Sequence, residues 1–316
     1  MPDKQRHFKL YLKSPAYQLF VSIMIVAGVG IASLLIFILA GIMIFGYDLS
    51  VLKESGTSLS NTGSGFLRYL LIVQDISLFI IPSILILVMM KPESANRLDE
   101  LKVPHWKEIG LVVILAFCIF PITSFTGQLN AGMHFPVWLS GVEKWMTEKE
   151  DYADKLIDTL VNSNSFWLMS LNVVTIALIP AISEELIFRG VFQKIFVNLF
   201  KSGHIAIWFT AFIFSTLHFQ FFGFIPRFIL GLVFGYLFFL SGTLWLPIIS
   251  HFINNSFPVI LTYIQNREKI NAPPDSSLLK QAVVLPVPVL LSLLILFYFR
   301  NKSNNKNESL NSLTFR

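Results

Sequence analysis

Three short clusters in the second half of the chain set ionisable and amide side chains inside otherwise apolar runs. They are Glu184, Glu185 and Arg189 in SEELIFRG, His218 in FSTLHF, and His251, Asn254 and Asn255 in SHFINNSF. An ionisable group within a membrane helix costs at least roughly 2.5–3.5 kcal/mol, so each of these needs a partner or a function. A carboxylate and an imidazole converging on one water can deprotonate it for attack on a carbonyl. A second imidazole and a carboxamide can donate hydrogen bonds to the oxyanion that develops. Glu184, His218, His251 and Asn255 are therefore the residue types for peptide-bond hydrolysis without a nucleophilic serine or cysteine. Glu184, His218 and His251 are equally a legitimate zinc ligand set. The chain has no HExxH pair, and spacing alone does not decide between the two chemistries.

Spacing separates the two glutamates. Neighbours on a helix point about 100° apart, so Glu184 and Glu185 serve different directions. Glu185 stands four residues before Arg189, the favoured order for an intrahelical ion pair. Glu184 is left over as the candidate general base. Taken alone, 184–201 reads equally well as a charged helix on the membrane surface. The histidines tip the balance. With KSGH at 201–204 as a turn between antiparallel helices, Glu184 and His218 lie roughly 25 and 22 Å from it at 1.5 Å per residue. His251 falls within about one helical turn of His218's depth. His251 and Asn255 share a helix face, whereas Asn254 points elsewhere and suits a helix–helix contact.

The elements that must position these groups are membrane helices. Of the 316 residues, 54% are hydrophobic and 14% charged, against about 25% charged in a soluble domain. The mean hydropathy is +0.66. Such a chain has too little polar surface for a soluble enzyme, and its 31 Phe exclude a disordered chain. A lone Cys118 excludes a disulfide framework or a thiolate zinc cluster. A bilayer-crossing helix needs about 20 predominantly apolar residues. Eight stretches qualify, at about 17–46, 66–90, 108–128, 165–188 (with a continuation to 200), 204–222, 226–240, 244–264 and 282–299. The expected fold is all-α, a polytopic bundle of about eight transmembrane helices. The first apolar run is too long for a secretory signal peptide.

The net charge of +5 belongs to the membrane surface, with no nucleic-acid partner implied. With the N-terminus inside, the arm (Lys4, Arg6, Lys9, Lys13), the 91–107 loop (Lys91, Arg97, Lys102, Lys107), the 189–203 region (Arg189, Lys194, Lys201) and the tail (Arg300, Lys302, Lys306, Arg316) carry most of the 24 basic residues. This bias puts both termini in the cytoplasm. Residues 1–16 form a cytoplasmic arm and 17–300 a single membrane domain with its polar core at 165–265. The segment 131–164, with Trp138, Trp145 and an acidic run from Glu148 to Asp158, is expected at the outer interface as one or two amphipathic helices. The tail 301–316, rich in Asn, Ser and Lys, reads as disordered. Asp75 beside Gln74 reads as a buried hydrogen-bonded pair.

At these motifs the sequence resembles the CPBP intramembrane proteases, the CAAX-prenyl-protease and bacteriocin-processing (Abi) group. Their pattern is EExxxR, FxxxH and HxxxN on separate helices. Here it reads Glu184-Glu185-Leu-Ile-Phe-Arg189, Phe214-Ser-Thr-Leu-His218 and His251-Phe-Ile-Asn-Asn255. The resemblance covers about 165–265. It implies that Glu184 and His218 activate water, that His251 and Asn255 hold the oxyanion, and that Glu185, Arg189 and Phe214 shape the site. The family carries a metalloprotease label, while a glutamate-activated water without metal is also argued for its members, so a divalent metal such as zinc and no metal both stand. It implies membrane lipids and a membrane-associated peptide or protein substrate as partners. Richness in Phe, Lys and Asn points to a bacterium of low genomic G+C, hence to the plasma (inner) membrane. Two alternatives compete. One is a non-catalytic immunity or scaffold protein of the same fold. The other is a proton-coupled transporter relaying protons through Asp75, Glu184 and the histidines, which the lack of repeat symmetry disfavours.

Overall fold

In the computed structural model, residues 10–45, 61–90, 99–269 and 278–314 are described. Most of the N-terminal arm, the loop basic residues Lys91 and Arg97, and Arg316 lie outside them. Helices follow the eight apolar stretches: α1 Pro15–Phe45, α2 at 61–90, α3 Trp106–Ala131, α5 Phe166–Phe200, α6 Gly203–Thr216, α7 Phe224–Ser241, α8 Trp245–Glu268 and α10 Pro286–Thr314. Between them stand α4 Ser140–Val161 and the short α9 Leu278–Val284. The described residues contain no strand. The fold is an all-α membrane bundle, in which α1, α3, α5, α7 and the Ser64–Met90 part of α2 are apolar and long enough to cross a bilayer.

Local chemistry sets the ends. Ser14 caps α1, its hydroxyl accepting from Tyr17 N at 3.4 Å, with Pro15 opening the first turn. Helix α5 stops at Lys201 in the left-handed conformation (φ 55°), and Ser202 then caps α6 by accepting from Ile205 N. The KSGH turn is thus where it was expected, and α5 runs unbroken through the glutamates. Two widened stretches with i→i+5 geometry, Val173–Leu178 and Leu186–Gln193, flank the turns that carry them; such turns recur at functional sites.

Two layers of packing hold the polar centre. Ile187, Phe188, Val191 and Ile195 of α5 bury against Ile86 of α2 and Phe214 of α6. Phe234 and Leu237 of α7 bury against Val112, Leu115 and Ile119 of α3, Leu246 of α8 and Phe299 of α10. Helices α6 and α7 approach closely because Gly231 and Gly235 have no side chain. A Cβ on Gly231 would stand 3.0 Å from the Ala211 backbone, and one on Gly235 2.8 Å from Ile207. This is the small-xxx-small crossing of membrane helices.

Three expectations are corrected. Helix α6 ends at Thr216 rather than near 222, which leaves His218 beyond the helix. The reason is local: Phe219 adopts φ 53°, and the last turn tightens through Phe219 N to Thr216 O at 3.1 Å. Gln74 is exposed while Asp75 is buried, so they are not a buried pair. The backbone of α10 continues helically through the Asn- and Ser-rich tail to Thr314. Near the start of that stretch Lys302 pairs with Glu108 of α3 at 2.5 Å.

Candidate active site

Glu185 is the hub of the polar centre. It is fully buried, as is Arg189, and the carboxylate accepts from Arg189 Nη1 at 2.7 Å. The same oxygen faces His251 Nδ1 of α8 at 2.9 Å. The intrahelical pair inferred from spacing is therefore real, but a third member from another helix shares it. Arg189 Nη2 donates to the Gly231 carbonyl at 2.9 Å, and one turn on Gln193 Nε2 donates to the Gly235 carbonyl at 3.1 Å. Two donors four residues apart on α5 thus meet two carbonyls four residues apart on α7. The glycines permit this because no side chain screens their carbonyls. The guanidinium also lies over the rings of Phe214 (5.0 Å) and Phe234 (5.3 Å). The arrangement gives each charge of a pair that would be costly alone in so dry a place at least two partners, although Glu185 Oε2 and Arg189 Nε keep none.

Glu184 stands apart from this ladder, as its position on the helix requires. Its Oε2 is buried without a hydrogen-bond partner and lies 3.8 Å from His251 Nε2. That separation is longer than a hydrogen bond. His251 thus faces both glutamates, one through each ring nitrogen, while its ring stacks on Phe234 at 4.7 Å. A carboxylate on Nδ1 assigns the proton there.

His218 is brought to the same place through Phe214. The Phe214 ring is buried and meets His218 edge-on at 4.9 Å and His251 at 6.1 Å. His218 Nδ1 lies 2.8 Å from the Phe214 carbonyl, which can only accept. The proton is therefore on Nδ1, and Nε2 keeps its lone pair in the neutral ring. Asn255 sits one turn beyond His251 on α8, half-buried, and bonds no other described side chain. Asn254, expected to bridge helices, instead has Nδ2 buried without a partner.

Among the described residues, no three His, Cys, Asp or Glu side chains stand close enough together to hold one ion. Glu184, His218 and His251 as arranged are therefore not gathered into a zinc ligand set, although Glu185 on His251 Nδ1 leaves the Nε2 that faces Glu184 as the ring's open nitrogen.

Three helices bearing EExxxR, FxxxH and HxxxN thus converge on one polar centre. Residues 165–257 match the family model described as type II CAAX prenyl endopeptidase Rce1-like. The chain carries a CAAX-protease-family domain. No curated protein and no solved structure matches it. The domain is of the intramembrane endopeptidase type, in a multi-pass membrane protein, and it spans α5 to α7 and the first half of α8, which with the loop after α6 supply every side chain described above.

The sequence did not point to the residues that hold the His218 loop. Asn130, buried at the end of α3, donates through Nδ2 to Phe221 O at 3.2 Å and accepts from Ile225 N at 2.8 Å. Arg227 donates to the carbonyl and side-chain oxygen of Gln220. From α4, Glu150 accepts from Phe222 N at 2.8 Å, and Trp145 packs on Phe221 at 5.5 Å. The amphipathic helix foreseen at 131–164 is thus a brace on the CAAX-protease domain. Only the GxxxG spacing of Gly231 and Gly235 could have flagged any part of the surrounding frame.

Proposed function

We propose that the chain is an endopeptidase that cuts a membrane-associated peptide or protein with a water activated by Glu184 and His218. The observation that carries this reading is His251 facing both glutamates, at 2.9 Å from Glu185 and 3.8 Å from Glu184. It divides the pair by partner: Glu185 is tied through one oxygen to both Arg189 and His251, whereas Glu184 has no hydrogen bond on the oxygen that faces His251 Nε2. Glu184 accepts a proton from water as its oxygen bonds to the scissile carbonyl carbon. The Nε2 lone pair of His218 orients that water or accepts the proton in its place. The carbonyl becomes an oxyanion, to which Asn255 and His251 Nε2–H donate. His251 does so as the doubly protonated ring; Glu185 is paired with Arg189, and the Glu184 carboxylate facing Nε2 at 3.8 Å is the counter-charge before the proton transfer. Collapse breaks the C–N bond, and the proton passes to the leaving amine. Glu185, Arg189 and Phe214 keep these groups in register. No step needs a metal.

The basic-residue bias supports a plasma-membrane protein with both termini in the cytoplasm, and α4 then lies on the outer face. The test is cleavage of a membrane-tethered reporter peptide library by purified protein. Loss of cleavage in His218→Ala and Glu184→Ala, with rates unchanged by a chelator, is expected. A variant cleaving at the wild-type rate would overturn the assignment. Strict chelator sensitivity would overturn the metal-free route.

A further inference from the structure

A second site lies far from the glutamates, at the end of the bundle where α6 begins and α7 ends. A groove of about 1010 Å³ runs there between α7 and α10. Its walls are apolar, with Phe239, Leu293 and Phe297 exposed along it. Its rim is polar. His204 and Tyr236 are hydrogen-bonded at 3.0 Å, and Arg300 lies where the apolar face of α10 gives way to polar residues. The run from Pro286 to Phe299 spans roughly 21 Å at 1.5 Å per residue, and Arg300 is where that apolar run ends.

Among the described residues, Arg300 is the one Lys or Arg that lines the groove. At this end of the bundle Lys194 is paired with Glu100 and Lys302 with Glu108. Arg300 is exposed and has no carboxylate partner among the described residues. We propose that this groove binds one anionic phospholipid. The guanidinium takes the headgroup phosphate in a forked contact, the Tyr236 hydroxyl or His204 supplies a further donor, and the acyl chains lie along Phe239, Leu293 and Phe297. A free cation above an apolar channel complements a ligand with one negative charge and a hydrocarbon body. It gives a zwitterionic lipid, whose own ammonium balances its phosphate, no such advantage.

Native mass spectrometry of the full chain in non-ionic detergent tests this, with phosphatidylglycerol and phosphatidylcholine of matched chains competing at equal concentration. One retained phosphatidylglycerol per chain is expected. Arg300→Gln should weaken its retention about tenfold, and Arg300→Lys should weaken it less. Thermal unfolding of each variant in lipid-free detergent checks that the fold is kept. Glycerol phosphate, which has the charge without the chains, should not compete. Equal retention of the two lipids, or an unchanged Arg300→Gln variant, would overturn the proposal. Effective competition by glycerol phosphate would do the same, by making this a soluble-anion site.

Discussion

The two histidines that flank Phe214 are held in opposite ways. His251 is embedded in a ladder of buried charges, Glu185 to Arg189 to the Gly231 carbonyl, made by helices α5, α7 and α8 in their interiors. His218 stands on a loop past the end of α6, tied by Asn130, Arg227 and Glu150 through the backbone of residues 220–225. The first arrangement is fixed by electrostatics in a dry interior. The second is fixed by hydrogen bonds from three separate helices to the backbone of one loop. Breaking the first should cost the fold, and breaking the second should cost geometry.

The largest effect expected on stability follows from Arg189→Leu. It leaves the Glu185 carboxylate buried with His251 as its remaining partner, a loss of about 3–5 kcal/mol for a broken buried pair. Unfolding in detergent micelles should show it, and an unchanged stability would mean that the ladder is not the frame. Asn130→Leu should leave the unfolding midpoint much closer to wild type while lowering kcat about 10- to 100-fold with KM nearly unchanged, because His218 drifts from the water it must meet. A rise in KM alone would instead make Asn130 part of substrate binding. Glu150→Gln keeps the shape and an acceptor for Phe222 N but removes the charge that strengthens the bond. A few-fold fall in kcat is expected, smaller than that of Asn130→Leu; a larger fall would make α4 the main support of the loop.

The smallest effect concerns pH. On α4, Glu143 accepts from Phe135 N and faces His134 at 3.0 Å, and the bond to His134 holds its carboxyl below the ordinary glutamate range. A depressed acid stabilises the folded state above its unfolded pKa, and that contribution is lost as pH falls through the folded value. The 134–143 tie should therefore hold at neutral pH and loosen in acid, with a slight change in Trp145 fluorescence. Glu143→Gln should remove that acid transition, and its persistence would assign it elsewhere.

The ladder was legible in the sequence because its members recur at helical spacing. Glu185 and Arg189, Phe214 and His218, and His251 and Asn255 are each four apart, and charged groups in apolar runs stand out. What spacing could not reveal is which oxygen His251 meets, since that depends on how α8 rotates against α5. The His218 brace was illegible for a different reason. Asn130 and Phe221 are 91 residues apart, and Glu150 and Phe222 are 72 apart. Their partners are backbone groups, which leave no trace in side-chain pattern. The end of α6 was missed because FSTLHFQFF stays apolar past Thr216, so hydropathy continues where the backbone turns.

The central claim is that adjacent glutamates do different work, and a matched pair of substitutions tests it directly. Glu184→Gln and Glu185→Gln should be purified side by side and assayed for both reporter cleavage and unfolding. Glu184→Gln should unfold like wild type, or at higher denaturant, and lose about 10²-fold or more of the cleavage rate with its base. Glu185→Gln should unfold far more easily. A Glu184→Gln protein that cleaves at the wild-type rate, or two variants with the same loss of stability, would contradict the division.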